Sequence, residues 1–389
     1  MKTALSVVMA LVLAGLLLFF ALAPAQIERG MNVIQPGPEP EISDAARALH
    51  SELFIGDLHS DSTLWRRDLT QASDRGHVDL PRLVAGNVAL QVFTSVTKSP
   101  SGQNYERNAT DTSDNITLLA IAQRWPPATW SSLTERALYQ AHKLHILAEE
   151  HPEKVQLVRS RTELARLLAR REAGETVVGG ILGTEGGHAL DGELANIQVL
   201  YDAGLRVVGL QHFFDNKLGG SLHGETGDGL SEFGQQAVDA MLALDMIIDV
   251  AHSSEAVVRD VLARSDKPVI VSHTGFQGHC NTPRNISDAL MVEIADAGGI
   301  VGVGYWDAAV CDTSVAAIVD GIRYGIDLIG EDHVALGSDY DGTIAAPFDT
   351  SQLILLTTEM LNRGFTETEI RKVMGLNMLR ILQDGLPVE

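Results

Sequence analysis

The sequence predicts an α/β fold, a (β/α)8 barrel, and three observations predict it. Eight short apolar runs rich in Val and Ile recur along the chain: FIGDLHSD, VALQVFT, VGGILGTEG, VVGLQHF, MIIDVAHS, VIVSHTG, IVGVGYW and VALGSDYD. Being apolar nearly throughout, they fit strands buried on both faces, as a parallel sheet requires. Amphipathic stretches separate most of them, and eight strands alternating with helices over about 330 residues is the size of such a barrel. In six of the eight runs, the polar residue that breaks the apolar stretch sits at its C-terminal end. A doubly wound open sheet is the alternative, but no G-x-G-x-x-G follows the first strand.

Taken in order, residues 1–25 (MKTALSVVMALVLAGLLLFFALAPA) carry one charge, Lys2, then an apolar run from Ala4 to Ala23 broken only by Ser6. Ala23 and Ala25 stand at the small-residue positions of an export cleavage site. About twenty apolar residues also suffice to span a bilayer, so a retained anchor is the second expectation. Both place the body outside the cytoplasm, exported or anchored in the membrane by this segment. Residues 26–41, with three prolines and two glycines, are expected to be a linker. Residues 42–389 show no further break and are expected to form one catalytic domain. Within it, Ser132 with Glu135 and Thr366 with Glu369 predict capping boxes at two helix starts. The segment from Thr97 to Trp130 reads as a surface loop or lid.

Composition excludes some functions. Of 389 residues, 51 are acidic and 29 basic, a net charge of −22. Such a surface repels phosphate backbones, so no nucleic-acid partner is expected. Two cysteines cannot make an all-thiolate zinc site, which needs four, but can make one bridge.

The residues ending the apolar runs are His59 and Asp61, Glu185, His212, His252, His273 and Asp339. In a parallel barrel all these ends gather on the face where active sites lie. Singly, each has a structural reading: Asp61 as a cap, Glu185 paired to an arginine, Asp339 as a turn residue. Jointly they do not, because three converging carboxylates repel unless cations neutralise them. His59 and Asp61, at i and i+2, point the same way on a strand and can share one ion. Imidazole and carboxylate without thiolate suits zinc and tolerates manganese or cobalt. The ligands outnumber what one tetrahedral ion uses, and two ions bridged by a carboxylate fit better.

From about Phe54 to Leu382 the chain resembles the membrane (renal) dipeptidases. The resemblance rests on DLHSD, GHVDLPRL with GNVALQVF, GTEGGHAL, LQHFFDN, IDVAHSS, VSHTG, NTPRNISD and GSDYDG, in that order. It implies a dipeptidase with two Zn2+ per chain and a metal-bound hydroxide as nucleophile. His59 and Asp61 then match ligands of one zinc, Glu185 the bridging carboxylate, and His252 and His273 the ligands of the second. His212 resembles the histidine that contacts substrate and, as a cation, steadies the oxyanion. Arg284 resembles the guanidinium that binds the substrate's free C-terminal carboxylate, and Asp339 the carboxylate that handles protons. Cys280 and Cys311 resemble a disulfide pair, and a homodimer is implied. The family's tyrosine shortly before the second cysteine is replaced by Ala308 and Ala309, which makes Tyr305 or Trp306 the expected substitute.

The rival enzyme is a related barrel amidohydrolase acting on N-acyl amino acids or β-lactams. Those usually carry His-x-His on the first strand, where this chain has His59-Ser60-Asp61. A catalytically silent scaffolding barrel is the rival from another class. Several other histidines get structural readings: His77 as a loop fixer, His188 as a support for Glu185, and His142, His145 and His151 as solvated. His223 and His279 are expected in loops near the mouth.

Overall fold

A computed structural model describes residues 2–389, without the side chains of 2–4, 10–12, 14, 16 and 17. The eight apolar runs become eight strands: β1 (Ile55–Ser60), β2 (Val88–Val96), β3 (Val178–Glu185), β4 (Leu205–Gly209), β5 (Ile247–Asp249), β6 (Ile270–Thr274), β7 (Ile300–Val303) and β8 (Val334–Leu336). Every pairing is parallel, β8 returns to β1, and β2 pairs with β3. The sheet therefore closes into the predicted barrel. A further short strand, Val155–Leu157, lies against the start of β3.

The helices between strands begin where the sequence supplies a capping oxygen. Ser43, Asp79, Asp114, Ser132, Ser160, Ser231, Ser254, Ser314 and Thr366 each accept from a backbone N–H of the first turn. Of the two expected capping boxes, only the one at Thr366 closes reciprocally. Ser132 caps the N–H of Glu135, but its hydroxyl donates to Asp191 at 2.6 Å.

The large hydrophobic cluster lies between barrel and helices. A second cluster takes Leu58, Val92, Ile181, Val207, Ile247, Ile270, Ile300 and Ala335 from the eight strands. It joins them to Met378, Ile381 and Leu382 of the helix Asn377–Gly385. Ile247, Ile270 and Ile300 are first residues of their strands, so this helix plugs the N-terminal end. Polar chemistry is left to the opposite rim. Gly302 and Gly337 both pack against the Ser272 backbone. A Cβ on either would fall within 2.2 Å of the Ser272 carbonyl oxygen.

The N-terminal part differs from expectation. The helix α1 runs Lys2–Met31, and Val33–Ile34 pairs in parallel with Ala345–Ala346. The stretch expected to be a linker from residue 26 is thus ordered against the barrel through residue 34. Single long-range contacts hold it, and composition carries no trace of those. The expected leader, residues 1–25, lies partly outside the described residues. Among those described, no helix is long and apolar enough to cross a membrane.

Candidate metal centre and substrate cleft

All seven strand-end residues meet at the C-terminal rim. His59 ends up inside β1, and Asp61 follows it at the first turn. Glu185 is the last residue of β3, and His273 lies within β6. His212, His252 and Asp339 each stand three residues past their strand. His252 and Asp339 reach inward by adopting left-handed backbone, with φ of 62° and 58°. For non-glycine residues this costs of order 1 to 3 kcal/mol each, and such strain clusters at active sites.

Glu185 is the hub. One carboxylate oxygen lies 3.6 Å from His59 Nε2, 3.3 Å from His252 Nε2 and 3.4 Å from His273 Nε2, while the other lies 3.3 Å from His212 Nε2. His59 Nε2 is also 3.5 Å from Asp61 and 3.9 Å from Asp339. Three overlapping groups have the spacing of a metal site: His59–Asp61–Glu185, Glu185–His212–His252 and His59–His273–Asp339. The fit to cations is chemical as well as geometric. Burial, followed by the negative charge of Asp61, raises the Glu185 carboxyl well above its ordinary range. Burial likewise lifts Asp339 to about 8. Burial lowers the His59 imidazole, yet Asp61, Glu185 and Asp339 overcome it and hold it at about 10. These acids retain protons where divalent cations would otherwise balance them.

A further tier of polar residues aims the clustered histidines and carboxylates. Ser272 Oγ lies 3.1 Å from His59 Nδ1 and 2.9 Å from His273 Nδ1, which turns both Nε2 atoms inward. Asp57 accepts from the His59 N–H at 3.0 Å and from Ser338. Asp249 accepts from the Ala251 and Ser272 N–H groups. Thr94 Oγ1 donates to Asp61 at 2.6 Å. The sequence reading missed this tier, although a polar residue inside an apolar strand was its available signal.

His212 differs from the expected cation. Its Nδ1 lies 3.0 Å from the Lys98 carbonyl oxygen, to which it donates, and burial pushes the ring down to about 4. Its Nε2 faces the Glu185 carboxylate at 3.3 Å.

Arg284 lies in the same cleft as the cluster. It is 1% exposed and donates to the His273 carbonyl at 2.6 Å and to Thr274 Oγ1 at 3.2 Å. Among the described residues no carboxylate forms an ion pair with it. Its loop is tied by the disulfide Cys280–Cys311. Neither Tyr305 nor Trp306, expected in place of the absent tyrosine, lines the cleft. Tyr305 is fully buried against Tyr340 and Phe348, and Trp306 stands behind the cleft with its Nε1 3.0 Å from Tyr105 Oη. Tyr105 itself lines the cleft, beside Ser99, Gln103, Leu64 and Ile116. It comes from the long loop, and no spacing signal marks it.

The remaining histidines do not line the cleft. His77 fixes a loop, accepting from the Asp341 N–H at 3.1 Å. His188 packs edge-on against Phe214 with neither ring nitrogen hydrogen-bonded. His223 meets the Tyr105 carbonyl oxygen at 2.9 Å, and His279 lies beside Tyr324.

A family profile described as membrane dipeptidase (peptidase family M19) matches residues 43–385. The chain belongs to the M19 membrane dipeptidases. It is a metallo-dipeptidase, and the metal dependence of the family agrees with the His, Asp and Glu groups of the rim. A relative named dipeptidase ataJ, from Aspergillus terreus, is 28% identical over 353 residues, covering 82% of this chain and 80% of its own. A protein from Klebsiella pneumoniae, encoded 5′ of pqqA, is 34% identical over 216 residues, 51% of this chain and 79% of its own. Among solved structures, dipeptidase AC, a metallopeptidase, superposes with a TM-score of 0.70 at 23% identity, covering 86% of this chain and 99% of its own. The probable dipeptidase PvdM of Pseudomonas aeruginosa gives 0.71 at 19% identity, covering 87% and 97%. At those identities the superpositions show the shared barrel fold.

Proposed function

We propose that this M19 dipeptidase hydrolyses dipeptides bearing a free C-terminal carboxylate, at a binuclear zinc centre. The observation that carries the reading is Arg284, a buried guanidinium with no carboxylate ion pair among the described residues, in the same cleft as the Glu185 cluster. An unpaired buried cation is costly unless a ligand supplies the anion, and its planar fork matches a carboxylate. His59, Asp61 and Glu185 would hold one ion, and Glu185, His252 and His273 the other. Bound there, two divalent cations supply Lewis acidity and a water that is nucleophilic at neutral pH. Asp339, 3.9 Å from His59 Nε2 at the edge of the cluster, takes a proton from the attacking water and gives it to the departing amine. Tyr105 forms a wall of the cleft and contacts a substrate side chain. The Cys280–Cys311 bridge supports an exported location, since such bonds persist in oxidising compartments.

The test is hydrolysis of a simple dipeptide such as Gly-Leu, before and after 1,10-phenanthroline. Activity should vanish with chelation, return with Zn2+, and accompany two ions per chain by elemental analysis. Undiminished hydrolysis in chelator would overturn the metal mechanism.

A further inference from the structure

The turn that carries Asp339 is strained beyond Asp339 itself. Asp341 and Thr343 are also left-handed, each with φ of 65°, so three of five successive residues are non-glycine positions in that region. Backbone of this kind persists only where surrounding contacts over-determine it. The direct contacts come mostly from Asp61, Ser62, Trp65, Arg67 and His77, and the N-terminal segment braces the turn both directly and through Arg67 and His77.

Three connections run from that segment to the turn. Glu28, 1% exposed, pairs with Arg67 Nε at 2.6 Å and Arg75 Nε at 2.7 Å, and Arg67 in turn pairs with the Asp341 carboxylate. Asn32 Oδ1 accepts from the Thr343 N–H at 2.9 Å. The Val33 carbonyl oxygen lies 3.2 Å from His77 Nε2, whose Nδ1 accepts from the Asp341 N–H. Two backbone bonds extend the contact, Val33 N–H to the Ile344 carbonyl at 3.0 Å and Gln35 N–H to the Ala346 carbonyl at 2.8 Å.

We propose that residues 28–35 are a positioning strap of the active site, holding the 339–343 turn so that the Asp339 carboxylate faces the Glu185 cluster. This rests on the proton-handling role given to Asp339 above. The strap lies beyond Ala25, so it stays with the catalytic domain whether or not the leader is cleaved there. Glu28, Asn32, Arg67 and Asp341 touch no reacting atom and act only through the turn.

The test uses the full-length chain loaded with Zn2+, in the variants Glu28→Gln, Asn32→Ala and Asn32→Asp. Two readouts are taken: hydrogen–deuterium exchange of the peptide spanning 338–344, and kcat and KM per metal-loaded folded chain. In Glu28→Gln and Asn32→Ala, exchange of that peptide should quicken and kcat should fall about tenfold, while KM stays within about twofold. Among the described residues Asn32 Nδ2 has no hydrogen-bond partner, so Asn32→Asp keeps the one contact that matters and should recover most of the lost turnover. Removal of one hydrogen bond makes Asn32→Ala the variant that folds if Glu28→Gln does not. Unchanged exchange, or quicker exchange with unchanged kcat, overturns the strap. If the unmodified chain cleaves no dipeptide, the functional reading fails by itself, and unchanged exchange in Asn32→Ala still overturns the strap.

Discussion

The Nε2 atoms of His252 and His273 face each other across 2.9 Å, and both lie within 3.4 Å of the same Glu185 oxygen. Burial, with Arg284 and neighbouring imidazoles adding to it, pushes both rings well below the usual histidine range. Two neutral lone pairs aimed at one point are a seat for a cation. His273 and His59 hold that aim through a single hydroxyl, Ser272 Oγ. Ser272→Ala should therefore fold normally yet bind metal about ten- to a hundredfold more weakly. Competition against a zinc chelator reads this directly, and unaltered affinity would remove Ser272 from the aiming role.

Arg284→Met should raise KM for dipeptides by roughly ten- to a hundredfold, the worth of hydrogen bonds to a charged partner. The unmodified enzyme should discriminate strongly against a dipeptide C-terminal amide, and the variant should lose that discrimination. Steady-state kinetics on the acid and amide pair decides it. Equal preference in the unmodified enzyme would detach Arg284 from the carboxylate.

Asp339→Asn should keep its metal and lose turnover by about a hundredfold or more, the range of a lost proton-transfer group. Elemental analysis beside kcat separates this from loss of the ions. Full activity would leave the proton to another group.

The barrel was legible because parallel strands buried on both faces leave continuous apolar runs, and each of the eight runs became one strand. The cluster at the rim was legible because its His, Asp and Glu residues interrupt those runs at one end. The N-terminal strap was not, since Glu28 finds Arg67 and Arg75 some forty residues away and no period links them. Tyr105 escaped for a related reason: it reaches the cleft from a loop whose path depends on side-chain contacts, such as Arg136 with Asp114 at 2.6 Å. The charge of His212 was not legible because burial, which lowers its ring, and the Lys98 carbonyl, which raises it, both come from tertiary packing.

Acid should weaken the fold through His50, remote from the metals. It is buried beside Thr357 Oγ1 at 2.9 Å, and burial holds it at about 4 against an ordinary 6.5. With the folded value depressed, the unfolded chain binds the extra proton between about pH 6.5 and 4. Stability is therefore full above that window and falls as pH drops through it. Denaturant melts from pH 7 to 4 should show a shallower decline for His50→Gln than for the unmodified chain. Parallel declines would exclude His50 as a contributor.

The bridge between Cys280 and Cys311 spans 31 residues, and a loop of that length stabilises by about 3 to 4 kcal/mol in the chain-entropy account. The double variant Cys280→Ser with Cys311→Ser should lose about that much in urea unfolding. Because Arg284 rides on the tied loop, KM should rise more than kcat falls. A midpoint unmoved by the double change would contradict this.

Tyr105 and the proposed metal ligands occupy different parts of the chain: the proposed ligands stand at or just past the ends of barrel strands, whereas the tyrosine rides on a connection between two of them. Exchange of a few residues around Gln103–Arg107 would then re-tailor which side chains are welcomed and leave bond cleavage intact. If Tyr105 meets the substrate as proposed, side-chain preference can change by one excursion of backbone at a time.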